Sequence, residues 1–145
     1  MKNKVVRTGD EFLLSSGNAI IHCLGVLDWE IYSCISDEHI TDEVIITDEQ
    51  LMHIRAKHPE AYHDIIHYVR NILNDPDYIL KDKCPNTGLV IKRIYGEKES
   101  SLLVLRVSTS ADREGYKNSV ITSWKISEKR LNNYLRNKMI IYNKE

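Results

Sequence analysis

Hydrophobic positions along the chain follow two periods, and the switch between them falls at Asn74-Asp75-Pro76. Before that point the spacing is helical. Val44-Ile45-Ile46 predicts a short strand. Thr47-Asp48-Glu49-Gln50 behind it reads as a capping box, with Thr47 as N-cap and Gln50 reaching back at N3. Leu51 and Ile54 give the short helix that follows its apolar side. Pro59 ends that helix, because a residue preceding proline avoids helical dihedrals. The same proline fits the first position of a second helix. Tyr62, Ile65, Ile66, Val69, Ile72 and Leu73 then recur at three- and four-residue spacing, the stripe of an amphipathic helix with one core face.

After Pro76 the period falls to two. Tyr78 to Leu80, Leu89 to Tyr95, Leu102 to Thr109 and Ser119 to Ile126 predict strands. Pro85-Asn86-Thr87-Gly88 and Gly96 to Ser100 are turns, and Ala111 to Asn118 is a polar loop. Ser127 caps a last helix with Leu131, Tyr134 and Leu135 on one face, and Met139 to Tyr142 closes as an edge strand. Helices followed by hairpin-linked strands argue for an α+β fold with an antiparallel sheet, and against Rossmann-type alternation. Residues 1–40 are a lead-in to the main body, residues 41–145, of one compact domain. In the lead-in, Ala19 to Leu24 and Trp29 to Ile35 are apolar runs of strand length, punctuated by Gly9, Gly17 and Gly25. Ser36 to Glu43 is a solvated acidic loop.

A chain of 145 residues is long enough to bury a real core. No apolar run approaches the roughly 18 residues of a membrane span, and the N-terminus lacks the apolar segment of a secretory signal. The expectation is a cytoplasmic protein with no membrane partner. Cys23, Cys34 and Cys84 give neither a disulfide framework nor a zinc knuckle. The net charge of −1 hides an asymmetry: residues 1–80 carry 6 basic against 14 acidic side chains, and residues 81–145 carry 14 against 7. Either the basic half meets a polyanion, or the two halves attract each other.

The densest chemistry lies in His53-Ile54-Arg55-Ala56-Lys57-His58-Pro59, which puts two imidazoles and two cations within one and a half helical turns. On a continuous helix the two histidines lie about 140° apart, but the break at Pro59 frees the direction of His58. Imidazoles beside a cation are candidates for proton transfer at neutral pH. The same residues also fit a surface histidine and a packed cap. His63 and His67 have the four-residue spacing of two metal ligands, without the HExxH pattern. Lys92-Arg93 and Arg106 interrupt apolar strands, which is costly unless the charge is paired or used. An arginine fork suits phosphate oxygens. Alternation from Ser119 to Ile126 puts Val120, Thr122, Trp124 and Ile126 on one face, with Ser119, Ser123 and Lys125 on the other. Thr122 can offer a hydroxyl to a phosphate and Trp124 a surface to a base; Trp124 equally fits a core. These parts suit metal- and cofactor-independent phosphodiester cleavage by acid–base catalysis. They also suit a non-catalytic nucleic-acid-binding or protein-interaction module.

Thr47-Asp48-Glu49-Gln50-Leu51-x-His53-Ile54-x-x-x-His58-Pro59, then Asn74 to Leu80, Leu103 to Ser110 and Asn118 to Trp124, resembles the phage-associated barnase–EndoU–colicin–RelE-like nucleases over about residues 40–142. The resemblance implies helices packed on a curved antiparallel sheet, as in small ribonuclease toxins. It implies an endoribonuclease of a phage or mobile element, with tRNA among its substrates and an immunity or antitoxin protein as partner. It implies an action in the cytoplasm, including that of a target cell. By position it implies His53 and His58 as acid/base residues, with Arg106, Ser119 and Thr122 as phosphate or orienting groups. Lys57, Lys92 and Trp124 would contact substrate, and no metal is required.

Overall fold

The computed structural model describes residues 10–13, 20–94 and 98–144. Its elements are β1 (Asp10–Leu13), β2 (Ile20–Val26), α1 (Trp29–Tyr32), β3 (Glu43–Thr47), α2 (Asp48–Lys57), α3 (Pro59–Asn74), β4 (Tyr78–Lys81), β5 (Thr87–Arg93), β6 (Ser100–Arg106), β7 (Asn118–Ile126), α4 (Glu128–Asn137) and β8 (Ile140–Asn143). The strands form one sheet in the order β1-β2-β3-β7-β6-β5-β4-β8. The fold is α+β and the sheet is antiparallel except where β3 meets β7. That parallel pair is short, Val44 with Asn118 and Ile45 with Ser119. The β4–β7 meander contains the strands expected after Pro76, and β8 pairs with β4 at the edge.

Local signals account for the helices. Thr47 and Gln50 form both bonds of the capping box. His58 stands between two helices: its N–H donates to the Ile54 carbonyl, and its own carbonyl accepts from Tyr62 N–H. Pro59 opens α3 at N1.

Two expectations require correction. Trp29 to Ile35 does not form a strand. The Asp28 carboxylate accepts from Glu30 N–H and starts α1, which carries Tyr32 into the core, where its hydroxyl donates to the Leu73 carbonyl at 2.7 Å. Gly88 lies within β5 instead of a turn. The chain reverses just before it, at Asn86, whose φ of 56° is in the left-handed region. A Cβ on Gly88 would stand 2.8 Å from Ile35 Cδ1, so glycine allows Ile35 to pack onto the strand.

Each side of the sheet has its own core. Leu24, Val44, Ile46, Val90, Leu103, Leu105 and Val120 meet Leu51 and Ile54 of α2 and Ile65, Ile72 and Leu73 of α3 on the first. Leu80, Leu89, Ile91, Leu102 and Ile126 meet Leu131, Tyr134 and Leu135 of α4 on the second. Ile20–Val26 belongs to the same sheet, and Leu24, Leu27 and Tyr32 to the first core. Asn118, fully buried, locks the junction of β3 and β7. Its amide donates to the carbonyls of Thr41 and Glu43, and its Oδ1 accepts from Ser108 N–H.

A candidate active face on the open side of the sheet

The second face is covered at one end by α4 and half-exposed at the other, where Val104, Arg106, Thr122 and Trp124 lie. Alternation alone would not assemble this group. The register between β6 and β7 shifts after Val104–Thr122, so that Leu105 pairs with Val120 and Arg106 with Ser119. Ile121 is the extra residue of a β-bulge, and 38% of its surface is exposed. The bulge reverses the alternation on its far side. Val120 therefore enters the first core while Trp124 and Ile126 face the second. This corrects the expectation that Val120 shares a face with Thr122 and that Ser119 opposes it. Ser119, as the direct partner of Arg106, stands on the face of Arg106, Thr122 and Trp124.

Arg106 is held as a fork. Nη1 donates to Asp112 Oδ2 and to the Val107 carbonyl, both at 3.0 Å, and Nη2 donates to Asp112 Oδ1 at 2.7 Å. Its guanidinium lies 5.2 Å over the Tyr116 ring. Three of the guanidinium N–H groups are thereby engaged, and among the described residues Nε–H and the second Nη2–H have no hydrogen-bond partner. Asp112 also accepts from Thr109 N–H, so the loop after β6 folds back as a bracket around the arginine. The hydrogen bond from Arg106 first, and that from Thr109 next, hold the Asp112 carboxyl down at about 2, and the same pairing raises the Arg106 value.

His58 reaches the edge of this face, its ring centroid 6.3 Å from that of Trp124. The hydroxyl of Ser119 is already bonded to the Lys117 carbonyl at 3.1 Å, and the residue is 5% exposed. His53 and Lys57 are exposed on α2, away from the buried Leu51 and Ile54, and neither contacts the Arg106 group among the described residues. Lys92 lies at the opposite end of β5 from Thr87, the strand partner of Arg106. Its ammonium is bonded to Asp75 at 3.0 Å, under the end of α3. Arg106, Ser119, Thr122 and Trp124 thus share one face, with Trp124 about 13 Å along the strands from Arg106 at roughly 3.3 Å per residue, and His58 meets that face at Trp124. His53, Lys57 and Lys92 stand apart.

Sequence reasoning missed Asp112 and Tyr116, which position Arg106, and a buried group on the helix side in which Asp64 meets Ser101 and Lys125. The signal for Asp64 was present: it falls on the apolar stripe of α3 with Ala61 and Ile65. The rings of His63 and His67 lie 4.3 Å apart, centroid to centroid, and are tilted by 46°. Among the described residues, no three His, Cys, Asp or Glu side chains converge as metal ligands. Burial pushes the Cys34 thiol up to about 11 and raises Cys23, so neither is a ready thiolate. No helix of the described residues is long and apolar enough to cross a membrane.

The family model described as phage-Barnase-EndoU-ColicinE5/D-RelE like nuclease2 matches residues 28–143. No curated protein and no solved structure matches the chain.

Proposed function

The chain belongs to the phage Barnase–EndoU–ColicinE5/D–RelE-like nuclease 2 family, and from that membership we propose that it is a metal-independent endoribonuclease working on the open face of its sheet. In this reading the fold is the barnase-like one, and RNA lies across β6 and β7. The free N–H groups of Arg106 bind the scissile phosphate and stabilise the charge that develops on it. Thr122 adds a hydroxyl donor. Ser119 shapes the floor through its bond to the backbone, and Trp124 stacks with a base. His58, which stands at the break between α2 and α3 with its ring beside Trp124, transfers a proton to or from a ribose or leaving oxygen. His53 and Lys57, outside this group, supply at most a second proton carrier and a charge along the path of the RNA. Lys92 has a structural role as the partner of Asp75. A tRNA substrate, and an immunity or antitoxin partner that covers the open face, belong to the same proposal.

The observation that carries it is the bulge at Ile121. A bulge bends a strand and re-aims its side chains, and this one gathers Arg106, Ser119 and Thr122 on a surface that the core does not fill. The test is cleavage of total RNA and of tRNA, in chelator and in magnesium. Discrete fragments should form in both. His58→Ala should slow cleavage by about 100-fold, and His53→Ala should slow it much less. RNA left intact under both conditions by folded protein would refute the enzyme. Salt-sensitive binding that persists without cleavage would instead indicate a binding module.

A further inference from the structure

On the helix-covered side, one carboxylate is buried with an acceptor unsatisfied. Asp64 is 1% exposed. Its Oδ2 accepts from the Ser101 hydroxyl and faces the Lys125 ammonium at 3.4 Å. Its Oδ1 has no hydrogen-bond partner among the described residues. A buried carboxylate oxygen without a donor is destabilising, so the position calls for one. His63 Nδ1 is 3.9 Å from Oδ1, beyond hydrogen-bond reach. Asp64 and His63 line a cavity of about 400 Å³, completed by Pro59, Glu60 and Lys125. The recess is shallow and open to solvent on one side. A smaller cavity of about 150 Å³, between β2 and α3, offers less room. The larger one is lined by a buried acceptor, an ammonium and the His63 imidazole, whose ring lies tilted beside that of His67. The His63 side chain beside Oδ1 is 60% exposed.

Its place in the fold connects it to the open face. Pro59 follows His58 and Lys125 follows Trp124, and the rings of His58 and Trp124 are 6.3 Å apart. Side chains 124 and 125 point to opposite faces of β7. Beyond Ser119, β3 no longer pairs with β7, so no strand covers this edge. The cavity and the open-face group lie on two sides of one strand edge, and a single strand of nucleic acid bending over that edge would reach both.

We propose that the cavity is a nucleotide-binding subsite for a residue flanking the cleaved bond. Asp64 Oδ1 accepts from a base N–H or a ribose hydroxyl, Lys125 faces the phosphate, and His63 provides a stacking surface. The inference rests on the ribonuclease reading above, but it can fail alone.

The experiment titrates the chain with AMP, GMP, CMP, UMP and their 2′-deoxy counterparts while following backbone amide resonances. Saturable shifts are expected at Glu60, His63, Asp64 and Lys125. Asp64→Asn should bind about tenfold more weakly, the loss of one charge-assisted hydrogen bond. Because that change also disturbs Lys125, the exposed His63→Ala serves as the second variant, with binding about fivefold weaker through lost stacking. Equal binding of ribo- and deoxynucleotides identifies the base as donor, and loss of the deoxy forms identifies the ribose hydroxyl. A wild type that cleaves RNA yet shows no saturable shifts at these positions, or shifts that both variants leave unchanged, overturns the subsite and leaves the enzyme standing. A protein that neither cleaves RNA nor binds any mononucleotide overturns both.

Discussion

Both faces of the sheet hold cations among apolar neighbours, and they satisfy them differently. On the helix-covered face, Lys92 is tied to Asp75 and Lys125 to Asp64, carboxylates at the end and on the inner side of α3. On the open face, Arg106 is tied to Asp112, six residues further along the same chain segment. The first arrangement fixes a helix to the sheet. The second holds a guanidinium in place while leaving part of its fork unused. A charge in a strand is therefore diagnostic only when the origin of its partner is known: a distant element suggests architecture, and a local loop suggests presentation. The charge asymmetry follows the same division. Lys92, Lys117, Lys125 and Lys144 all pair with carboxylates of the acidic first half. Mutual attraction of the halves thus engages four of the fourteen basic side chains after residue 80.

Cutting into the covered face should have the largest effect, and on stability. Leu103 is fully buried there, and Leu103→Ala should lower the unfolding free energy by about 2–5 kcal/mol, read by denaturant titration. Thr122→Val on the open face should change it by less than about 0.5 kcal/mol. Equal losses at the two positions would erase the distinction between the faces.

Arg106→Ala comes next, with an effect on chemistry. Cleavage should fall by about 100-fold as a phosphate-stabilising donor is lost, while the domain stays folded with a modestly lower melting temperature, because the bracket with Asp112 is lost too. Arg106→Lys should recover only part, because an ammonium cannot span Asp112 and a phosphate as a fork does. Asp112→Asn should be milder, about tenfold, because the fork remains but loses its charge-assisted anchor. A positioning role predicts that kcat falls more than KM.

The smallest effect is a titration. Asp112 is held at about 2 by Arg106 and Thr109, below the value near 3.9 of an unfolded aspartate. A depressed carboxyl stabilises the fold fully above that unfolded value and loses the contribution as pH falls through the folded one. The bracket should therefore be intact at pH 5 and released between about pH 4 and 2, visible in the carboxyl carbon resonance of Asp112. An ordinary aspartate titration there would show that the bracket is open in solution.

Much of the architecture was legible because its signals are local. A capping box, a proline break, a helical stripe and alternating strands each depend on a few neighbouring residues, and Thr47, Pro59, Ile65 and Val90 behave as their spacing says. What stayed hidden depends on tertiary context. One short aspartate cap turned Trp29 to Tyr32 from an apparent strand into a helix. The bulge at Ile121 has no mark in the sequence, because any residue can be the extra one, and it alone decides that Ser119 and not Val120 accompanies Arg106. Arg106, Thr122 and Trp124 were legible as polar or aromatic breaks in apolar strands. Asp112 was not, since an acidic loop residue looks solvated until the strand that it brackets is in place.

The central claim is that RNA is engaged on the open face, around Arg106. It is tested most directly by adding an uncleavable 2′-deoxy oligonucleotide and mapping the amide and side-chain resonances that move. The largest shifts are expected at Arg106, Thr122, the Trp124 indole and His58, weakening as salt rises. Tight binding that leaves Arg106, Thr122 and Trp124 unmoved, with shifts confined to the outer surfaces of α2 and α4, would contradict it.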